Sequence, residues 1–190
     1  RQSRVTFTAT ASTTYFIRVG GRAGASGSGT MTITAPGTGP VIPPNDACAN
    51  AQWLADGAAV LGTTSQATND GTGTCGNAAT SPDLWYKYMP RTSGIVTFDT
   101  CGSTLDTTLA IFTTCGGTQI ACNDDAQVGA CAGSNQSLAA ISATAGTTYL
   151  IRVAGYNSQR GAFTIRATGG GGIVPPFNDE CTGRVALPQG

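Results

Sequence analysis

Four residues, Asp106, Asn123, Asp124 and Asp125, have chemistry to offer as a group. Two β-branched, apolar runs, 107–113 and 118–122, are short and close enough to pair as a hairpin. Pairing Leu109 with Ile120 sets Asp106 opposite Asn123, with Asp124 and Asp125 beside them at the same sheet end. Three carboxylates, an amide oxygen and nearby carbonyls suit a hard cation such as Ca²⁺, which takes about six to eight oxygens. Like charges this close repel unless a cation sits among them. The competing reading is a turn in which Asn and Asp side chains bond their own backbone. Ca²⁺ is the one candidate cofactor.

The other reactive-looking side chains point away from catalysis. The chain has no His and a single Lys, Lys87, so the usual general base and the commonest metal ligand are both missing. It has no GxSxG elbow, HExxH pair or Cys–His pair. Paired carboxylates also serve glycosidases, but nothing else in the chain supports that chemistry, and a non-enzyme is expected. Trp85 shares a strand face with Lys87, opposite Tyr86 and Tyr88. One face of a half-buried sheet is open to water, which makes Trp85 the candidate exposed aromatic for stacking on a sugar.

Of the seven cysteines, Cys48, Cys75, Cys101, Cys115, Cys122 and Cys131 fall in one segment, and Cys181 stands apart. An even set without CxxC pairs or His reads as disulfides formed in an oxidising compartment rather than as zinc ligands. Six cysteines allow 15 pairings. Nearest-neighbour bridges, Cys48–Cys75, Cys101–Cys115 and Cys122–Cys131, are the expectation.

These residues need a scaffold, and the composition points to strands. The chain carries 27 Gly, 9 Pro and 11% charged residues, with Thr, Ser and Ala filling much of the rest. Such a chain is poor in helix formers and rich in turn signals. Apolar or β-branched runs recur at about 58–64, 83–89, 94–100, 107–113, 118–122, 137–144, 147–154 and 161–167. Several alternate with period two, as half-buried strands do. Asp46 is a plausible cap for a short helical turn in 45–54. The formal net charge is +0 with scattered basic residues, which argues against nucleic acid and anionic membranes as partners. No apolar run approaches the roughly 18 residues of a membrane span.

The strands recur as a larger unit. QSRVTFTATASTTYFIRVGG at 2–21 returns as QSLAAISATAGTTYLIRVAG at 136–155, an offset of 134. Met31-Thr32-Ile33 matches Phe163-Thr164-Ile165, and PPNDAC at 43–48 matches PPFNDEC at 175–181. Marks at nearly one spacing imply a domain-sized repeat of about 133 residues. The expected organisation is the C-terminal strands of one repeat at 1–35, a linker at 36–44, a complete repeat at 45–168, a linker at 169–176, and the start of another repeat at 177–190. The chain then reads as a window of a longer array or as a strand-exchanging protomer.

Taken together, SPDLWYKY (81–88), DTTLAIF (106–112), ACNDDA (121–126) and AGTTYLIRVAGY (145–156) resemble the bacterial pre-peptidase C-terminal domain family, in the Cys-containing tandem version of large secreted proteins. The resemblance implies a β-sandwich, secretion, and a role in adhesion, substrate binding or spacing, without catalysis. The fold expected is an all-β, antiparallel, jelly-roll-like sandwich repeated along Gly/Pro linkers. The function expected is an extracellular structural protein of the bacterial surface, forming a fibre, stalk or filament with neighbouring repeats or copies of itself. The alternative is a glycan- or protein-binding module appended to a secreted enzyme or adhesin.

Overall fold

The computed structural model describes residues 3–10, 13, 15–20, 23, 33 and 41–172. The chain divides into two units, Arg1–Thr38 and Gly39–Gly190. Cys181 and the expected third repeat at 177–190 lie outside the described residues, as do 36–40 and 173–176 of the two linkers.

The second unit is all-β. Among the described residues nine strands form, β1 (Gln52–Trp53), β2 (Ala59–Thr63), β3 (Asp83–Tyr88), β4 (Gly94–Asp99), β5 (Thr107–Phe112), β6 (Gln119–Asn123), β7 (Leu138–Ala143), β8 (Tyr149–Gly155) and β9 (Ala162–Thr168). They make one sheet ordered β1-β3-β8-β5-β6 and another ordered β2-β9-β4-β7. Every pairing is antiparallel except β1 with β3, and β1 is a two-residue edge too short to leave a periodic mark in the sequence.

Period-two alternation places one set of side chains between the sheets. Leu84, Tyr86 and Tyr88 of β3, Leu109 and Ile111 of β5, and Tyr149, Ile151 and Val153 of β8 meet Val96, Phe98, Ile141, Phe163 and Ile165 of the other sheet. Tyr86 meets Phe163 edge-on at 6.2 Å, and Tyr88 meets Phe98 edge-on at 5.6 Å. Aromatic pairs in this geometry add roughly 0.5–1.5 kcal/mol beyond the area they bury.

The five-stranded sheet is covered on its outer face as well, which corrects the expectation for Trp85. The lead-in segment crosses that face. Asn45 receives the Trp85 backbone N–H at its carbonyl and returns its side-chain amide to the Trp85 carbonyl. Cys48, Ala51, Trp85, Ala110, Phe112 and Leu150 form a second, smaller core beneath it. Trp85 is only 2% exposed, and its indole N–H donates to Asp70. It is a core residue, not a stacking platform.

Asp46 differs from its expected role too. The helical turn is a three-residue 3-10 segment, Cys48–Asn50, with Ala47 at the cap position. The Asp46 carboxylate instead accepts the backbone N–H and the hydroxyl of Thr68, both at 2.6 Å. It fastens the lead-in segment to the long β2–β3 loop.

The bridges are Cys48–Cys115, Cys75–Cys122 and Cys101–Cys131. Nearest-neighbour pairing is therefore wrong for all three. Cys48 lies on the outer face of the sheet and Cys75 in the β2–β3 loop, so each is carried to the β5–β6 hairpin by long-range packing. Sequence separations of 67, 47 and 30 result.

In the first unit, the Thr10 N–H donates to the Tyr15 hydroxyl at 2.8 Å. At the matching positions of the sandwich, the Thr144 N–H donates to the Tyr149 hydroxyl at 2.9 Å.

Candidate functional site

Asp106 immediately precedes β5, and Asp124 and Asp125 immediately follow β6, so the hairpin delivers all three to one end of the five-stranded sheet. The register that does so is not the expected one. Leu109 pairs with Asn123 rather than Ile120, and a bulge follows between Ile111 and Phe112. Such a bulge inserts a residue and bends the strand, and no alternation pattern reports its position.

Despite the shift, carboxylate oxygens of Asp106, Asp124 and Asp125 lie within 4.8 Å of one another. The Asn123 side chain, proposed as a fourth ligand, already has partners of its own. Its side-chain oxygen accepts the Leu138 N–H at 2.8 Å, and its amide donates to the Asp125 carbonyl at 3.3 Å.

The walls come from two loops. Gly76, at φ +66°, approaches so closely that a Cβ there would lie 2.8 Å from Asp124 Oδ1 and 2.2 Å from the Thr108 methyl. The adjacent Cys75–Cys122 bridge ties this loop to β6. On the other side, the Tyr156 N–H donates to the Asp106 carbonyl, and the Asn157 N–H to the Gly76 carbonyl. Asn135 donates to Asp106 Oδ2 at 3.4 Å.

Asp106 Oδ1 and Asp124 Oδ1 are shut off from solvent and have no hydrogen-bond partner. Burial raises both carboxyls above their ordinary range, and the neighbouring Asp125 charge raises them further. Asp106 adds its own charge to the effect on Asp124. Clustered acidic oxygens, two of them unsatisfied, fit what a hard cation takes.

Sequence reasoning missed a second cluster of polar groups. Arg152 lies on the strand face opposite Tyr149, Ile151 and Val153, yet it is 1% exposed. Its Nε donates to Asp83 Oδ2 at 2.5 Å, and its Nη2 to the carbonyls of Ala78 and Ser81, each at 2.9 Å. Burial pushes the Asp83 carboxyl up to about 6, against the pull of Arg152. Nothing in the alternation could flag this pair, because it depends on the β2–β3 loop folding over the sheet.

A cleft of about 420 Å³ opens beside that loop, lined in part by Trp85, Phe112, Asp70 and Gly71. Both Asp70 oxygens are engaged, one by Trp85 Nε1 and one by the Cys48 N–H.

With the sandwich and its sites in place, a family model described as galactose binding domain-like, T9SS-associated, matches residues 44–166. The chain belongs to this family. The motifs at 81–88, 106–112, 121–126 and 145–156 all fall inside the matched range. This galactose binding domain-like chain is also similar to a solved pre-peptidase C-terminal domain, from a collagenase of Bacillus anthracis. That likeness has 12% identity over 62% of this chain and 94% of the other, with a TM-score of 0.41. No curated protein matches in sequence. A binding-type or accessory domain in an extracellular context agrees with the secretion-linked family and with three disulfides, which persist in oxidising compartments. No helix among the described residues is long and apolar enough to cross a membrane.

Proposed function

We propose that this chain is a non-catalytic structural protein of the bacterial cell exterior, in which sandwich repeats of about 133 residues join into a fibre, stalk or filament. The repeat carries this reading. Residues 1–35, 45–168 and 177–190 correspond to the end, the whole and the beginning of one unit. The matching Thr–Tyr hydrogen bonds of the two units support it. The Gly/Pro linkers at 36–44 and 169–176 can span at most roughly 35 Å each, which keeps successive sandwiches close. A head-to-tail contact repeated without closing into a ring makes a filament. Electron microscopy of the native material tests the reading: ordered end-to-end polymers are expected, and dispersed single particles would sink it.

A second reading, a glycan- or protein-binding module, is supported by the match of residues 44–166 to the galactose binding domain-like family. Retention of a monodisperse single repeat on a glycan array would favour it over the filament.

Asp106, Asp124 and Asp125 are the proposed Ca²⁺ site, and it stiffens the domain rather than performing a reaction. The pH dependence follows from the raised carboxyls. A carboxyl raised on folding contributes stability that is full below its unfolded value and lost as pH rises through the folded one. In chelator, the melting temperature should therefore rise as pH falls from 7 towards 4. Asp83 contributes with the same sign, independently of the cation. Calcium at 100 times its Kd should stabilise the neutral domain by about 2.7 kcal/mol and flatten the slope. Asp124→Asn should raise the melting temperature in chelator and abolish the calcium response. Identical melting curves with calcium and with chelator from pH 5 to 8 would leave the backbone-turn reading in place.

A further inference from the structure

β2 is an open edge. It pairs with β9 alone, as an outer strand of the four-stranded sheet. At the opposite side of the sandwich the edge strands β6 and β7 pack on each other, and β1 is only two residues long. The Thr64 N–H donates to the Gly161 carbonyl, and the same register pairs Gly62 with Phe163 and Val60 with Ile165. In an antiparallel ladder every second residue turns its main-chain groups to the partner strand. Ala59, Leu61 and Thr63 therefore turn their N–H and C=O groups outward, where none of them has a partner among the described residues. An edge of this kind is ordinarily blunted by a charge, a Pro or a bulge. The β2 sequence, AVLGT, carries neither charge nor Pro, and its ladder to β9 runs without a shift.

Beside this edge the two sheets do not match. Five strands face four. With β6 against β7 at one side, the surplus strand is β1 at the other, and nothing among the described residues continues the four-stranded sheet opposite it. A groove of about 450 Å³ lies there, lined in part by Gln52 of β1, Leu84 and Tyr86 of β3, and Leu61 to Thr63 of β2. No charged side chain lines it among the described residues. Tyr86 is 1% exposed, and its hydroxyl lies 2.5 Å from where a Cβ on Gly62 would stand. Its polar neighbour is the Asn45 amide, a donor, so the phenol O–H is left for an acceptor in the groove.

We propose that this edge and groove take one extended, uncharged peptide strand of another protein. Its main chain pairs with Ala59, Leu61 and Thr63, which extends the four-stranded sheet to five, and its inward side chains cover Leu84 and Tyr86. Strand addition draws affinity from main-chain hydrogen bonds and specificity from the pockets under alternate side chains. The uncharged lining sets the partner's chemistry. A charged side chain turned inward would lose its water and find no counter-charge. The overhanging β1 also disfavours a second copy of this chain. An antiparallel β2–β2 pair between two copies leaves both five-stranded sheets on one side, where the two β1 strands would meet. This docking goes beyond the filament reading and does not depend on it, since microscopy decides that one separately.

Titration of the 190-residue chain with a capped Thr-Val-Thr-Val-Thr peptide, as long as β2, tests this by NMR of the chain's amides. Near ten times the Kd, the Leu61 and Thr63 amides should exchange with solvent about tenfold more slowly, following occupancy. Val60 and Gly62, already turned to β9, should not change. A peptide of the same length with Lys at its three central positions, charged on both faces, should bind at least about tenfold more weakly. Thr63→Pro removes one outward donor and should weaken the first peptide about five- to tenfold with the melt unchanged. Should that variant not fold, Gln52→Glu decides. It should strengthen binding of the Lys peptide about fivefold and leave the first peptide within about twofold; an equal response to both overturns the groove's role. Amide changes that are absent at millimolar peptide, or that fall away from β2, overturn the docking. So does a dimer in sedimentation that is held through β2. Leu61 and Thr63 amides that are already slow without peptide, and that speed up on truncation after Gly172, would assign the groove to the chain's own tail and overturn it as well.

Discussion

Replacing Arg152 by alanine should lower the unfolding free energy of the oxidised domain by about 3–5 kcal/mol, the cost of stranding a buried charge. Its partner Asp83 is wholly buried, and Asp83 Oδ1 already lacks a hydrogen-bond partner. Without the guanidinium only Asn69 remains to donate to this carboxylate, at 3.3 Å. The carbonyls of Ala78 and Ser81 lose their donor as well, so the β2–β3 loop should loosen from the sheet. A single-domain protein holds only about 5–15 kcal/mol in total, so the variant should be near the edge of folding at 37 °C. The pH response should steepen, since Arg152 is what opposes the upward pull of burial on the Asp83 carboxyl. The variant should gain stability as the medium is acidified through the raised range and lose it again towards neutral pH. Urea denaturation at pH 5 and pH 7.5 measures both effects. Arg152→Met combined with Asp83→Leu should recover part of the loss, because apolar side chains of similar volume often replace a buried pair at little cost. Recovery should stop short of complete while the two loop carbonyls lack a partner. A single variant within about 1 kcal/mol of wild type would show that this pair is not the latch of the loop.

Reduction of the three disulfides should unfold the domain at room temperature. Closing loops of 67, 47 and 30 residues removes chain entropy worth about 4 kcal/mol each in the denatured ensemble. The loops overlap, so the total is below the sum, yet it is comparable to the whole stability of a domain. Removing Cys48–Cys115 alone, as a double alanine variant, should cost about 2–5 kcal/mol. That bridge pins the lead-in segment over Trp85, so its loss should also shift tryptophan emission to longer wavelength as water reaches the second core. Non-reducing peptide mapping should join Cys48 to Cys115, Cys75 to Cys122 and Cys101 to Cys131. A reduced domain that keeps a cooperative melt and native emission would mean that the two apolar cores suffice without the bridges.

Strand positions were legible in the sequence because alternation is a property of neighbouring residues. Tyr149, Ile151 and Val153 must face one way in any strand, and Leu150 and Arg152 the other. Eight strand segments follow from that local rule, and each overlaps an observed strand. The acidic group was legible for a related reason. Asp106 and Asp124–Asp125 bracket a hairpin, and a register slip of three residues still leaves them at the same end of it.

What lay beyond the sequence depends on residues far apart in the chain. Trp85 and Arg152 sit on a face that alternation assigns to water, until the lead-in segment and the β2–β3 loop cover it. The Asn123 side-chain oxygen is taken by the N–H of Leu138, on a strand of the other sheet. The bridges follow the same principle. Proximity in sequence favours Cys101–Cys115, but a disulfide needs Cα atoms roughly 4.4–6.8 Å apart, and folding sets Cys131 at 5.3 Å from Cys101. A strand's two faces are set by its own residues, whereas which face is dry and which sulfurs meet is set by the packing of the whole sandwich.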